Sequence, residues 1–184
     1  MRALKALLAS LWLVAMPTIV PAQVLAPKVF VDKGACPFEC CEYGKWTAEK
    51  STRAYSHPDK GRGAFTIPAG TTVTALTGYV RTHGEPFLVT RPHPPYKAGE
   101  KLMVYTYYGE GAFLVWYKGK IFTEDLGFSP YGGTGGTRCT DPKYCWGTLA
   151  RELQSDWWIN FRLRNGKTAW LHGATEFSGA DRCG

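Results

Sequence analysis

The feature that most restricts how this chain can fold is its cysteine pattern, in which three cysteines fall within the six-residue segment CPFECC. The six cysteines are Cys36, Cys40, Cys41, Cys139, Cys145 and Cys183. Adjacent Cα atoms are only about 3.8 Å apart, which is below the usual disulfide separation, so Cys40 and Cys41 are expected to bond different partners. Cys139 and Cys145 flank a segment that suits a local loop. Cys183 is expected to hold the C-terminal tail in place.

The N-terminal segment bears on the redox state of these cysteines. Residues 1–22 combine a basic start, an apolar run and small residues before Gln23, which is the pattern of a secretory signal peptide cleaved near Ala22. A membrane anchor is disfavoured because a span needs about 20 apolar residues and Pro17 interrupts this run. We therefore predict a secreted or periplasmic protein. No second long apolar stretch follows, so no transmembrane span is expected in the mature chain.

The cysteines could form disulfides, bind a metal or act as a reactive thiol. An even number of cysteines in an exported protein favours a disulfide framework. A zinc site would need matched C-x₂₋₄-C pairs, and the spacing of Cys36 and Cys40 fits this only loosely. A cysteine nucleophile needs a positioned histidine, but no cysteine begins a helical pattern. The chain has four histidines, namely His57, His83, His93 and His172. We predict disulfides of unknown pairing, no metal and no cofactor, with the metal site and the reactive thiol as alternatives.

The charge pattern restricts the partners. The formal net charge of the whole chain is +7, and cleavage would remove Arg2 and Lys5 but no acidic residue. The remaining excess of lysine and arginine is spread along the chain without a basic block. Nucleic acid is therefore not expected as a partner, whereas an anionic wall, glycan or membrane surface stays open.

The hydrophobic pattern predicts an all-β chain. Short β-runs alternate with Gly and Pro turns, and hairpins are expected at Gly109-Glu110-Gly111, at Lys118-Gly119-Lys120 and at Asn165-Gly166. The only helical pattern is GTLARELQSD, residues 147–156, which could form two turns. Small barrels or a sandwich are the expected outcome.

Alternation along two strands predicts which side chains are buried. In the last hairpin, Trp157, Ile159 and Phe161 share one face, which we expect to be core, and Trp158 lies on the opposite, wetter face with Arg162 and Arg164. Residues 101–108 are apolar on both faces. A strand buried on both sides is expected to pack against the other half of the chain.

Two segments resemble bacterial SH3-like (SH3b) domains. The first is a tryptophan-led strand, a turn at Asn165-Gly166-Lys167 and the return Ala169-Trp170-Leu171, in which Ala169 replaces the usual glycine. The second, TRAYSHPDKGRGAFTIPAGTTVTAL, is similar to the opening of the family, with its polar loop and Pro-x-Gly-x-x-Val motif. The resemblance implies small β-barrels that often bind peptidoglycan or peptides, or that accompany enzyme domains.

Together with a weak repeat of aromatic strand and Gly-Lys turn, the resemblance leads us to predict two packed, disulfide-stapled SH3-like units. The expected organisation is a signal peptide at 1–22, a first unit with a Cys-rich N-terminal extension at 23–122, and a second unit with a disulfide-pinned tail at 123–184.

These features predict an exported, non-catalytic module that binds cell-wall peptidoglycan or a peptide or protein partner through exposed aromatic residues. The candidate binding residues are Tyr107, Tyr108, Trp116, Tyr117, Trp158, Arg162 and Arg164. Each arginine could pair with carboxylates of wall peptides.

Two alternative functions remain. One is a small secreted hydrolase using Glu124, Asp125 or Asp156, although nothing in the sequence brings two carboxylates together. The other is a structural or inhibitory envelope protein.

Overall fold

The chain is all-β in a computed structural model that describes residues 25–58, 63–128 and 145–183. These residues form thirteen strands and no helix, and the described part holds no helix that is long and apolar enough to cross a membrane. The all-β prediction is therefore confirmed. The expected helical turns at 147–156 are wrong, because residues 147–149 form a strand that pairs with its neighbour and a longer strand begins at 154.

The first sheet has six antiparallel strands taken from both ends of the described chain. Its order is β12-β11-β5-β2-β13, and β1 also pairs with β5. The strands are β1 (Val29–Lys33), β2 (Lys45–Ala48), β5 (Thr72–His83), β11 (Gln154–Arg162), β12 (Thr168–His172) and β13 (Phe177–Ser178). A separate hairpin, made of β3 (Thr52–Ala54) and β4 (Phe65–Ile67), adjoins β12 because Tyr55 and Trp170 exchange backbone hydrogen bonds of 2.9 and 2.8 Å.

One hydrophobic core lies inside this sheet. Trp46 and Phe161 are fully buried at its centre, which confirms the inward face predicted from the alternation of β11. Leu171 on one edge strand and Phe177 near the other edge belong to the same core, so the sheet curls around it. Within the described residues the sheet does not close on itself.

The second sheet has five antiparallel strands in the order β10-β6-β7-β8-β9. The strands are β6 (Glu85–Val89), β7 (Lys101–Gly109), β8 (Ala112–Tyr117), β9 (Lys120–Asp125) and β10 (Gly147–Leu149). Its own core is built around Phe87, Val104, Phe113 and Val115, all with no exposed surface. The three predicted hairpins are confirmed, two of them in this sheet and the third between β11 and β12.

The connectivity differs from the two consecutive units that we expected. The predicted boundary after Phe122 falls inside β9, which pairs with β8 along its whole length. In addition, β5 and β11 pair over nine positions although the entire second sheet lies between them in sequence. The second sheet is therefore an insertion between two strands of the first, and among the described residues the longest pairing is made across it.

The two sheets meet along β7, as the apolar pattern on both its faces predicted. Tyr105 is fully buried, its ring centroid lies 5.2 Å from that of Phe30 on β1, and its hydroxyl donates to the Pro27 carbonyl at 2.7 Å. Tyr108 donates a hydrogen bond to the carboxylate of Asp32. Burial, and then this carboxylate, raise the pKa of Tyr108 above its ordinary value.

One disulfide joins the start of the described chain to its end, and a second closes a short loop near the start. Cys36 bonds Cys41 and Cys40 bonds Cys183, so the prediction that adjacent cysteines have different partners is confirmed, as is the anchoring of the tail. Cys145 is also disulfide-bonded, whereas Cys139 and the rest of the expected loop, residues 139–144, lie outside the described residues. Such bonds are typical of proteins outside the cytoplasm.

The two disulfides should differ in their contribution to stability. In the chain-entropy account, a crosslink stabilises by restricting the unfolded chain, which gives about 5 kcal/mol for the bond between Cys40 and Cys183, separated by 143 residues. The same account gives about 2 kcal/mol for Cys36 and Cys41, separated by 5. We expect C40S/C183S to lose more free energy of unfolding than C36S/C41S in urea denaturation. Equal losses, or a larger loss from the short crosslink, would contradict this reading.

Candidate binding face

Cross-strand pairing gathers aromatic side chains on the outer surface of the first sheet. Trp158 lies between Tyr79 on β5 and His172 on β12, and Trp170 lies between Asn160 and Tyr55. Because directly paired residues point to the same side of a sheet, these groups share one surface. We call this surface the aromatic face; its members are Tyr55, Tyr79, Arg81, Asp156, Trp158, Asn160, Arg162, Trp170 and His172.

Trp158 is the centre of the aromatic face rather than an exposed contact. Its ring centroid lies 5.5 Å from that of Tyr55 in an edge-on arrangement and 4.8 Å from that of His172. These neighbours leave Trp158 only 7% exposed. The side chain is therefore buried, whereas we expected it on the wetter side of the strand. The alternation assigned the correct face, but the surrounding aromatic side chains cover it.

The indole nitrogen of Trp158 is a buried donor, and within the described residues Nε1 has no hydrogen-bond partner. An unsatisfied buried donor costs about 1–3 kcal/mol, a cost that the surrounding aromatic packing has to offset. The half-buried rings of Tyr79 and Trp170, with centroids 5.8 Å apart, extend the same surface outwards. The aromatic face therefore offers flat ring surfaces around a buried donor.

A charged network adjoins the aromatic rings. Arg81 Nη2 donates to Asp156 Oδ2 at 2.6 Å, and His172 Nε2 lies 3.3 Å from Asp156 Oδ1. The hydrogen bond from Arg81, and to a lesser degree that from His172, lowers the pKa of Asp156, against the opposing effect of burial. The network holds His172 beside Trp158 and keeps the carboxylate ionised at neutral pH.

Cations predominate around the aromatic face. Arg162 is exposed and lies on the same side of β11 as Trp158, as predicted. The guanidinium carbon of Arg53 lies 5.7 Å from the ring centroid of Tyr55, and Lys33 is paired with Tyr79. Arg164 is exposed but lies in the turn after β11. The edge of the aromatic face is thus suited to carboxylates.

The other four candidate residues lie on the second sheet and do not join the aromatic face. Tyr107 and Tyr117 are half-buried against the second core, and the Tyr117 hydroxyl donates to Glu100 at 2.7 Å. Tyr108 is held between the sheets by its hydrogen bond to Asp32. Trp116 is half-buried on the outer side of β8, between Met103 and Ile121. The seven predicted residues therefore do not form a single site.

Asp156 is apart in the fold from Glu124 and Asp125, the other two carboxylates considered for hydrolysis. Asp156 belongs to the network with Arg81 on the first sheet. Glu124 and Asp125 end β9 on the second, where Glu124 accepts a hydrogen bond from Tyr96. A cluster with metal-ligand spacing, formed by Glu39, Cys40 and Cys183, uses two sulfurs that are already joined in a disulfide. Those sulfurs are therefore not free thiolate ligands.

Sequence reasoning overlooked five members of the aromatic face, namely Tyr55, Tyr79, Arg81, Trp170 and His172. Trp170 had been noted only as part of the SH3-like motif. The turn at Asn165-Gly166 fixes the register of the last hairpin and so places His172 opposite Trp158. The position of His172 could therefore have been predicted from the sequence. Tyr79 joins through the pairing of β5 with β11, a long-range contact that no local pattern specifies.

Comparisons with known proteins identify no relative: no family model, no curated protein and no solved structure matches this chain.

The ion network should make stability depend on pH. The lowered native pKa of Asp156 means that its contribution is fully present above its unfolded value of 3.8 and is lost as the pH falls through the native pKa. At neutral pH we expect Asp156→Asn to lower the free energy of unfolding by about 0.2–1 kcal/mol, the range for partly exposed ion pairs. The difference should vanish in acid. Urea denaturation across this range tests it, and a difference that stays constant with pH would contradict the assignment.

Proposed function

We propose that this chain is an exported, non-catalytic SH3-like binding protein whose aromatic face contacts cell-wall glycopeptide. One observation carries the proposal: Tyr55, Tyr79, Trp170 and His172 are gathered around Trp158, with Arg162 on the same side of the sheet. Flat aromatic surfaces stack on sugar rings, and an exposed guanidinium pairs with peptide carboxylates. The two chemistries together match a glycan that carries an acidic peptide.

The SH3-like part of the proposal rests on the first sheet. Its curled form around a single core and the two resembling segments, which supply β3 to β5 and β11 to β12, are compatible with one small open barrel. In this proposal the second sheet is an insertion and not a second SH3-like unit. All of its strands, β6 to β10, lie between β5 and β11 in sequence. This replaces the two units expected from the weak repeat.

Export is supported by the disulfides, because such bonds persist in oxidising compartments. The signal-peptide pattern of residues 1–22, which is a feature of the sequence alone, also supports export. In this proposal Asp156 has no catalytic partner in Glu124 or Asp125, because Asp156 lies in the network with Arg81 on the first sheet and the other two end β9 on the second.

Sedimentation with purified peptidoglycan sacculi tests the proposal. We expect the wild-type protein to pellet with sacculi, and Trp170→Ala to weaken this binding about tenfold or more, as is typical for removing a central aromatic contact. Arg162→Ala should weaken it by a smaller factor, and more salt should reduce the difference between Arg162→Ala and wild type.

Trp116→Ala is the matched control, because Trp116 is a half-buried tryptophan on the other sheet. It should bind sacculi like the wild type, and circular dichroism should show that each variant is folded. Absence of sedimentation at modest salt would overturn the wall-binding proposal and favour a protein partner. An equal loss in Trp116→Ala and Trp170→Ala would remove the aromatic face as the site.

A further inference from the structure

The second sheet carries a groove that the proposed function does not use. It lies where β7 turns into β8 and where β9 ends, and its volume is about 710 Å³. This is within the range of about 300–1,000 Å³ that is usual for ligand sites. Its walls come from the β7–β8 hairpin, the end of β9 and the segment before β10.

Aromatic rings form one wall of the groove. Trp146 is 4% exposed, and its ring stacks on that of His93 with a centroid distance of 4.4 Å and an interplanar angle of 9°. The Tyr96 ring, beside the groove, is parallel to Trp146 within 1° at 5.1 Å. Tyr107 and Phe128 continue the lining. This wall is rigid, because its rings are packed against the second core.

Carboxylates form the other wall. Glu110, Glu124 and Asp125 line the groove, and within the described residues its lining includes no lysine or arginine. This is notable in a chain with a net charge of +7. Together the three carboxylates give this part of the groove a negative potential, which favours a cationic occupant.

Neighbouring groups orient two of these carboxylates. Tyr96 donates a hydrogen bond to Glu124 Oε2, and Gly127 N donates to Asp125 Oδ1 at 2.7 Å. In each case only one carboxylate oxygen is engaged within the described part of the chain, so the second oxygen of each can accept another donor. Aromatic faces next to carboxylates are also favourable for a cation.

We propose that this groove binds a cationic side chain of a peptide, with lysine as the simplest case. The ammonium group would pair with a carboxylate of the groove in the field of the other two, and the aliphatic part of the lysine would pack along the aromatic wall. Charge complementarity selects this occupant: an anionic ligand would meet three carboxylates, and a neutral one would leave them uncompensated. The site is separate from the aromatic face, where cations predominate.

Isothermal titration calorimetry with the intact mature protein tests this site. The probe is Gly-Lys-Gly blocked at both termini, and the matched control is the same peptide with Nε-acetyl-lysine, which has similar length and no charge. We expect the lysine peptide to bind and the acetylated peptide to bind at least about tenfold more weakly, since charge-assisted hydrogen bonds are the stronger ones.

Variants locate the binding. Glu124→Gln and Glu110→Gln should each weaken binding of the lysine peptide about tenfold, and Glu110 is exposed in a turn, so its variant tests the site even if Glu124→Gln is unstable. Glu176→Gln is the matched control; its partner is Lys50, at 3.2 Å, away from the groove. Arg162→Ala should leave binding of the lysine peptide unchanged, although it weakens binding to sacculi. The test of the groove is therefore independent of the test of the aromatic face.

Three results would overturn the inference. Equal binding of the acetylated and the lysine peptide would show that charge is not recognised. Equal weakening by Glu176→Gln and Glu124→Gln would place the effect in the overall charge of the protein. Absence of heat with the lysine peptide at millimolar concentration would leave the groove without the proposed ligand.

Discussion

The pairing of β5 with β11 is the interaction on which the rest of the structure depends. It joins residues 72–83 to residues 154–162 over nine positions, and the second sheet lies entirely between these strands in sequence. Closing so long a loop costs entropy, which this ladder and the core on its inner side must offset. The inner side buries Phe161, and the outer side brings Tyr79 next to Trp158. One pairing thus creates both the first core and the aromatic face.

Local features of the fold could be predicted and long-range ones could not. The turn at Asn165-Gly166 and the inward side of β11 follow from turn chemistry and alternation, which act over a few residues. The different partners of Cys40 and Cys41 follow from their adjacency. The boundary expected after Phe122 falls inside β9, because a repeat of strand and turn says nothing about which strands pair. Similarly, the burial of Trp158 depends on Tyr55 and His172, which arrive from other segments.

The two sheets present surfaces of opposite character. Arginine and aromatic side chains occur together on the first sheet, and carboxylates line an aromatic groove on the second. The hydrogen bond of Tyr108 to Asp32 and the contact between Phe30 and Tyr105 connect the two sheets. The disulfide between Cys40 and Cys183 ties the strand segments at both ends of the described chain. The fold thereby holds two surfaces of opposite character at once.

The most direct test of the central claim, that ligand binding belongs to the surface created by the β5–β11 pairing, is the set of tryptophan indole N–H signals in a ¹H–¹⁵N NMR spectrum. Each tryptophan contributes one such signal, and the ligand is a soluble disaccharide–peptide fragment of peptidoglycan whose amines are acetylated, so that it carries no cation for the groove of the second sheet. We predict that the signals of Trp158 and Trp170 shift on titration and that those of Trp116 and Trp146 do not. Shifts confined to Trp116 or Trp146, or no shift at millimolar fragment, would contradict the account.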